Sequence, residues 1–189
     1  MVPAWCDDAR RCHGLRNLAR MLIVLRGNSG SGKSTIARML QARLTSPTAI
    51  LQQDHFRRIV YREPEQRGMA HAELLETAAR HCLARDQHVI MEGIFNARRY
   101  SDMLERVAAY AHHATFFAFD LSYEETVRRH AMRPQAAEFT ADQMRAWYHG
   151  WQPLSFTDEH RIDVSLSPEQ IVDRVLESIE SHGDGVRDG

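Results

Sequence analysis

The sequence predicts an α/β protein, a parallel β-sheet covered by helices, on three observations. From Met21 onward, short apolar runs alternate with amphipathic helical stretches, the pattern of strands joined by crossover helices. The first run opens into a glycine-rich turn and then a helix, over 27–35, where backbone amides can meet phosphate. Later runs stop at single acids, Glu92 and Asp120. In a parallel sheet the carboxyl ends of the strands share one rim, so such acids gather at one crevice.

Five short strands are expected, at 21–25, 49–53, 88–91, 115–120 and 162–166. Helical periodicity appears between and after them at 33–44, 70–84, 100–110, 123–132, 141–148 and 168–181. Several starts carry side chains able to accept from the open amides of a first turn: Ser122 with Glu125, Thr140 with Gln143, and Ser167 with Pro168 and Gln170. Pro134 and Pro153 mark helix ends. These elements make one domain over 21–181, with a lid around 122–150. Residues 1–20 stand outside the alternation as an N-terminal extension, and 182–189, rich in Gly and Asp, is expected to be a flexible tail.

A chain of 189 residues can bury one good core but not two. Its 43% hydrophobic and 26% charged residues are those of a globular protein, and no apolar run approaches the roughly 18–20 residues of a membrane span. The first twenty residues are charged rather than apolar, unlike a secretion signal. Cys6, Cys12 and Cys82 leave an odd thiol and no disulfide framework. A cytoplasmic location is therefore expected. The formal charge of −1 supplies no field for nucleic acid, and a nucleic-acid partner is not expected.

One basic residue differs from the rest. Of 24 Lys and Arg residues, Lys33 alone is lysine, and it lies in the glycine-rich loop. A compact ammonium is kept at the one place where a planar guanidinium fork would be a poor replacement.

Gly27, Asn28, Ser29, Gly30, Ser31, Gly32, Lys33, Ser34 and Thr35 match the P-loop spacing in register with strand and helix. The glycines let successive amides turn toward phosphate oxygens, and the helix start adds its positive end. Lys33 is expected to bridge the outer phosphates of ATP, with GTP also compatible, and Ser34 to offer its hydroxyl to Mg2+. A guanine-reading Asn-Lys-x-Asp segment is impossible with one lysine. The paired acids of an assembly-forming ATPase are missing too.

The second run leads into Gln53-Asp54-His55-Phe56-Arg57-Arg58. Asp54 is a candidate to accept a proton from an acceptor hydroxyl or to hold the Mg2+ shell, the alternative being a helix cap. Arg57 or Arg58 is a candidate to grip a polar acceptor. Glu92 is expected to bind acceptor hydroxyls or to orient metal-bound water, against the alternative of a strand-end charge facing water. Arg129 and Arg133 lie one turn apart on a helix and can embrace transferring phosphate; a solvated basic face is the alternative. For Trp147, Tyr148 and Trp151, packing against the sheet is favoured over an aromatic platform for a ligand.

Taken together, 27–35, Gln53-Asp54, 89–93 and Arg129-x3-Arg133 resemble the P-loop kinases that include chloramphenicol phosphotransferase, zeta toxins, the kinase half of polynucleotide kinase and the tunicamycin-resistance proteins. The resemblance covers residues 21 to about 180 and implies a five-stranded parallel sheet in the order 2-3-1-4-5 with helices on both faces. It also implies that Asp54 activates the acceptor hydroxyl and that Arg129 and Arg133 are lid arginines. The expected activity is ATP-dependent phosphorylation of a small molecule's hydroxyl, a nucleoside-like antibiotic such as tunicamycin being one acceptor and resistance the outcome. The alternatives are a nucleoside or polynucleotide kinase, and a regulatory ATPase without a separate acceptor.

Overall fold

A computed structural model describes residues 21–64, 66, 68–131, 140–163 and 165–183. In chain order the elements are β1 (Met21–Gly27), α1 (Lys33–Arg43), β2 (Thr48–Gln52), α2 (Gln53–His55, running on as a π-helical turn, Phe56–Tyr61) and α3 (Ala70–Ala84). Next come β3 (His88–Gly93), α4 (Ala97–Tyr110), β4 (His113–Phe119), α5 (Tyr123–Ala131), α6 (Ala141–Trp147), β5 (His160–Ile162) and α7 (Pro168–Gly183). The five strands form one sheet in the order β2-β3-β1-β4-β5, every pair parallel. This is the expected P-loop kinase topology.

Strand β1 lies at the centre with both faces covered, which explains its unbroken apolar run. Met21, Ile23 and Leu25 pack with Ile36 and Leu40 of α1 and Ile171 and Val175 of α7. On the other face Leu22 and Val24 meet Leu75 of α3 and Leu104 and Val107 of α4. Burying each such side chain contributes about 1.5–3 kcal/mol, so this strand is firmly positioned and carries the loop that follows it.

The capping boxes at Thr140/Gln143 and Ser167/Gln170 are complete. At Ser122 only half forms: Glu125 N–H donates to Ser122 Oγ, while the Glu125 carboxylate turns to Arg128 and Arg129. A charged partner outcompetes a backbone amide for that carboxylate.

Two expectations need correction. The fifth strand is His160–Ile162 rather than 162–166, because Asp163 Oδ1 accepts from Ser165 N–H at 2.7 Å and turns the chain. Gln53, expected to end the second strand, instead opens a helix that runs to Tyr61, with Phe56 packed on the core and Ile59, Val60 and Tyr61 exposed. Helix α7 continues to Gly183, so two residues of the expected tail are helical; 184–189, like 1–20, lie outside the described residues.

His88, at the start of β3, is buried and its Nδ1 has no hydrogen-bond partner. Burial lowers its pKa from the ordinary 6.5. The unfolded chain then binds the extra proton, so stability falls as pH drops below about 6.5 toward the lower folded value. Urea midpoints taken between pH 7.5 and 5 should fall less steeply for His88→Gln than for wild type. Parallel slopes would show that His88 is not held neutral.

Candidate active site

The P-loop leaves β1 at the carboxyl edge of the sheet and is shaped by two glycines. Gly30 (φ 85°) and Gly32 (φ 100°) adopt left-handed backbone that side-chain-bearing residues reach only at a cost. Gly30 also lies against helix α5: a Cβ there would be 2.6 Å from the carbonyl oxygen of Thr126. Lys33 is buried, its Nζ donating to Asn28 O at 2.9 Å and Ser31 Oγ at 3.1 Å, so the ammonium is held inside the curl of the loop.

Three neighbours brace this loop. From the adjacent strand, Glu92 Oε1 accepts from Ser34 Oγ at 2.7 Å and from Gln52 Nε2 at 2.8 Å. The pairings Leu25↔Glu92 and Gln52↔Glu92 bring the ends of three strands into line and make this contact possible. From α5, Arg129 Nη1 donates to Ser31 O at 3.4 Å while its Nε donates to Glu125 at 2.6 Å. His149 N–H, just past α6, donates to Asn28 Oδ1 at 3.2 Å.

The structure therefore brings Lys33, Ser34, Glu92 and Arg129 together. Glu92 is only 6% exposed and bonded to the serine expected at the metal, so it is not a strand-end charge facing water. Arg133 lies outside the described residues. Arg129 is not a solvated face: it reaches the loop, whereas Arg128 points outward and pairs with the same Glu125. Hydrogen bonds from Arg128 and then Arg129 hold the Glu125 carboxyl down to about 2, and the triad stays ionised until the pH falls toward that value.

Asp54 is in the first turn of α2 and makes no cap bond. Its Oδ1 accepts from Arg57 at 3.0 Å and Arg58 at 2.9 Å, and the side chain is 50% exposed. Beside these arginines opens a cavity of about 660 Å3 whose far wall is Trp147, Tyr148 and His149. The aromatics do not pack on the sheet, contrary to the favoured reading. Arg58 lies over the Trp147 ring at 5.1 Å, Tyr148 donates to Leu121 O, and Trp151 is exposed, donating to Glu159. Arg26, buried in β1, pairs with Glu159 at 2.9 Å and donates to Gln152 O at 2.7 Å, tying the chain after α6 to the central strand.

Sequence reasoning missed the support beneath Asp54. Gln53 is buried and donates to Tyr100 OH at 2.8 Å, which bonds His71 Nε2 at 2.9 Å; His71 Nδ1 in turn meets Glu63. Gly93 lets this arrangement close, since a Cβ there would lie 2.6 Å from Gln53 Cβ. The glycine was the one signal of a close approach.

Residues 22–154 match the AAA_33 family, an AAA domain family, and the chain belongs to it. No curated protein matches the sequence. Among solved structures, a gluconokinase from Sinorhizobium meliloti is 17% identical (TM-score 0.65), the match covering 90% of this chain and 97% of that one. The Mycobacterium tuberculosis APS kinase CysC, in complex with AMPPNP and APS, is 19% identical (TM-score 0.66), covering 86% and 99%. A chain of the Pnkp1/Rnl/Hen1 complex is 24% identical (TM-score 0.52), covering 80% of this chain and 48% of that one. At these identities the likeness is one of fold.

Gly30→Ala tests whether the loop rests on α5. The added Cβ meets backbone, which cannot swing away, and the residue must keep a left-handed φ; unfolding stability should drop by about 1–3 kcal/mol. Unchanged urea stability would contradict that packing.

Proposed function

We propose that the protein is an ATP- and Mg2+-dependent phosphotransferase that phosphorylates a hydroxyl group of a small molecule. The observation that carries this reading is the Ser34–Glu92 contact beside a P-loop that holds its one lysine buried, with a cavity opening at Arg57 and Arg58, the partners of Asp54. The kinase folds of the gluconokinase and APS kinase support the same reading.

The chain's residues fit both groups. Loop amides and Lys33 suit a polyphosphate, and Ser34 with Glu92 supplies the hard oxygen donors that Mg2+ prefers, Glu92 acting directly or through bound water. Mg2+ there would neutralise charge on the outer phosphates. Lys33 and Arg129 stabilise the transferring group from two sides. Asp54 orients the acceptor hydroxyl and takes its proton as the hydroxyl oxygen bonds to the γ-phosphorus. The bond from that phosphorus to the β–γ bridging oxygen breaks, and ADP leaves with the electron pair. Arg133 is proposed as a second lid arginine on its spacing from Arg129. Arg57 grips the acceptor beside Asp54. A nucleoside-like antibiotic such as tunicamycin is one acceptor to try. A cytoplasmic setting is consistent with the described residues, in which no helix is long and apolar enough to cross a membrane.

Mg-ATP at about a hundred times its Kd should stabilise the wild type by about 2.7 kcal/mol, and Lys33→Ala should lose most of that gain. Asp54→Asn should keep it while phosphoryl transfer, followed by mass spectrometry of the acceptor, falls by about 10^2–10^4. Absence of any Mg-ATP stabilisation in wild type would sink the assignment. ADP production indifferent to every acceptor would point to a regulatory ATPase instead.

A further inference from the structure

We infer that the acceptor carries an oxyanion, a carboxylate or a phosphate, close to the hydroxyl that receives the phosphoryl group. The inference rests on the phosphotransferase reading and concerns the cavity beside Asp54. Among the described residues lining that cavity are Arg57, Arg58, Arg62 and Arg99, against the carboxylate of Glu63 and that of Asp54, which Arg57 and Arg58 already bond. Four guanidinium groups around about 660 Å3 form an anion site in both charge and shape, because the planar fork of arginine matches two oxygens of one oxyanion.

Two details argue that these arginines are held for a ligand. Arg57 Nε is buried and has no hydrogen-bond partner, although the same side chain bonds Asp54 through Nη2. A buried donor left unmade costs about 1–3 kcal/mol, a cost the fold bears to keep this guanidinium at the cavity wall. Arg62 ends the π-helical turn with φ 52°. Both a π-helical turn and a non-glycine residue in left-handed backbone are unfavourable, and such features collect at binding sites. Here they bring a fourth arginine to the cavity wall. Glu63 is drawn away by its buried partner: hydrogen bonds from His71, through both its backbone and ring, hold the Glu63 carboxyl below its usual range against the opposing effect of burial.

Because Asp54 bonds two of the lining arginines, the hydroxyl it activates and the anion the arginines hold are expected to lie within a few bonds of each other. A small hydroxy acid or a nucleoside phosphate has that layout. A neutral nucleoside does not.

The test measures binding by calorimetry to protein saturated with Mg-AMPPNP, using two matched pairs: gluconate against glucose, and 3′-AMP against adenosine. The anionic member of at least one pair should bind about tenfold or more tightly than its neutral partner, the worth of one charge-assisted hydrogen bond. Which pair responds distinguishes carboxylate from phosphate. Arg62→Gln should erase most of that preference and Arg62→Lys should retain part of it, with Mg-AMPPNP affinity unchanged in both. Equal affinities within both pairs, or a preference that survives Arg62→Gln, would overturn the inference. A 5′-hydroxyl oligonucleotide binding far more tightly than 3′-AMP would support the oxyanion and overturn the small-molecule reading. Failure of Mg-AMPPNP itself to bind would instead count against the phosphotransferase reading.

Discussion

A loop that offers backbone amides to a polyphosphate must stay open without filling its own centre, and everything around this site answers to that requirement. Within itself the loop is tied by Lys33 Nζ to Asn28 O and Ser31 Oγ, while its glycines provide turns and no packing. It is braced from outside: Ser34 by Glu92, Asn28 by His149 N–H and Ser31 O by Arg129, with Gly30 seated on a carbonyl of α5. The braces come from β3, from α5 and from the chain just past α6. The sheet order makes this possible by setting β1 between β3 and β4, so that elements after both neighbouring strands arrive at the loop.

Two kinds of positive charge meet here, with Arg129 reaching the loop and other arginines lining the cavity. On the nucleotide side stands one buried ammonium, Lys33, whose three donors can be shared among oxygens in many directions. On the other side stand arginines whose planar forks demand fixed partners. Asp54 takes hydrogen bonds from two of those arginines. Its own position depends on Gln53 behind it, and through Gln53 on Tyr100, His71 and Glu63. A buried polar chain of this kind is stabilising only when every member is satisfied. Replacing Tyr100 would thus disturb a carboxylate it never touches.

Much of this was legible in the sequence. The P-loop, the five strands and the cap residues could be read because each obeys a local rule: fixed spacing, continuous apolarity, or a hydroxyl followed three residues later by an acid or amide. Glu92 was legible as a strand-end acid, but its bond to Ser34 spans 58 residues and needed the register of β3 on β1. The π-helical turn after β2 was not legible, since Phe56, Ile59 and Val60 have helical spacing over too short a run to separate it from the strand before it. Nor were the roles of Trp147 and Tyr148. Helical spacing identifies a face and does not say whether that face meets a sheet or a cavity.

The most direct test is a crystal structure with Mg-AMPPNP. The account requires the β- and γ-phosphates to lie in the curl of 27–34, within hydrogen-bond reach of Lys33. It also requires the Ser34 hydroxyl on Mg2+, with Glu92 released from Ser34 to the metal or its water, and Arg129 turned toward the γ-phosphate. A nucleotide bound elsewhere, or a metal held without Ser34 while Glu92 keeps its present bond, would contradict it.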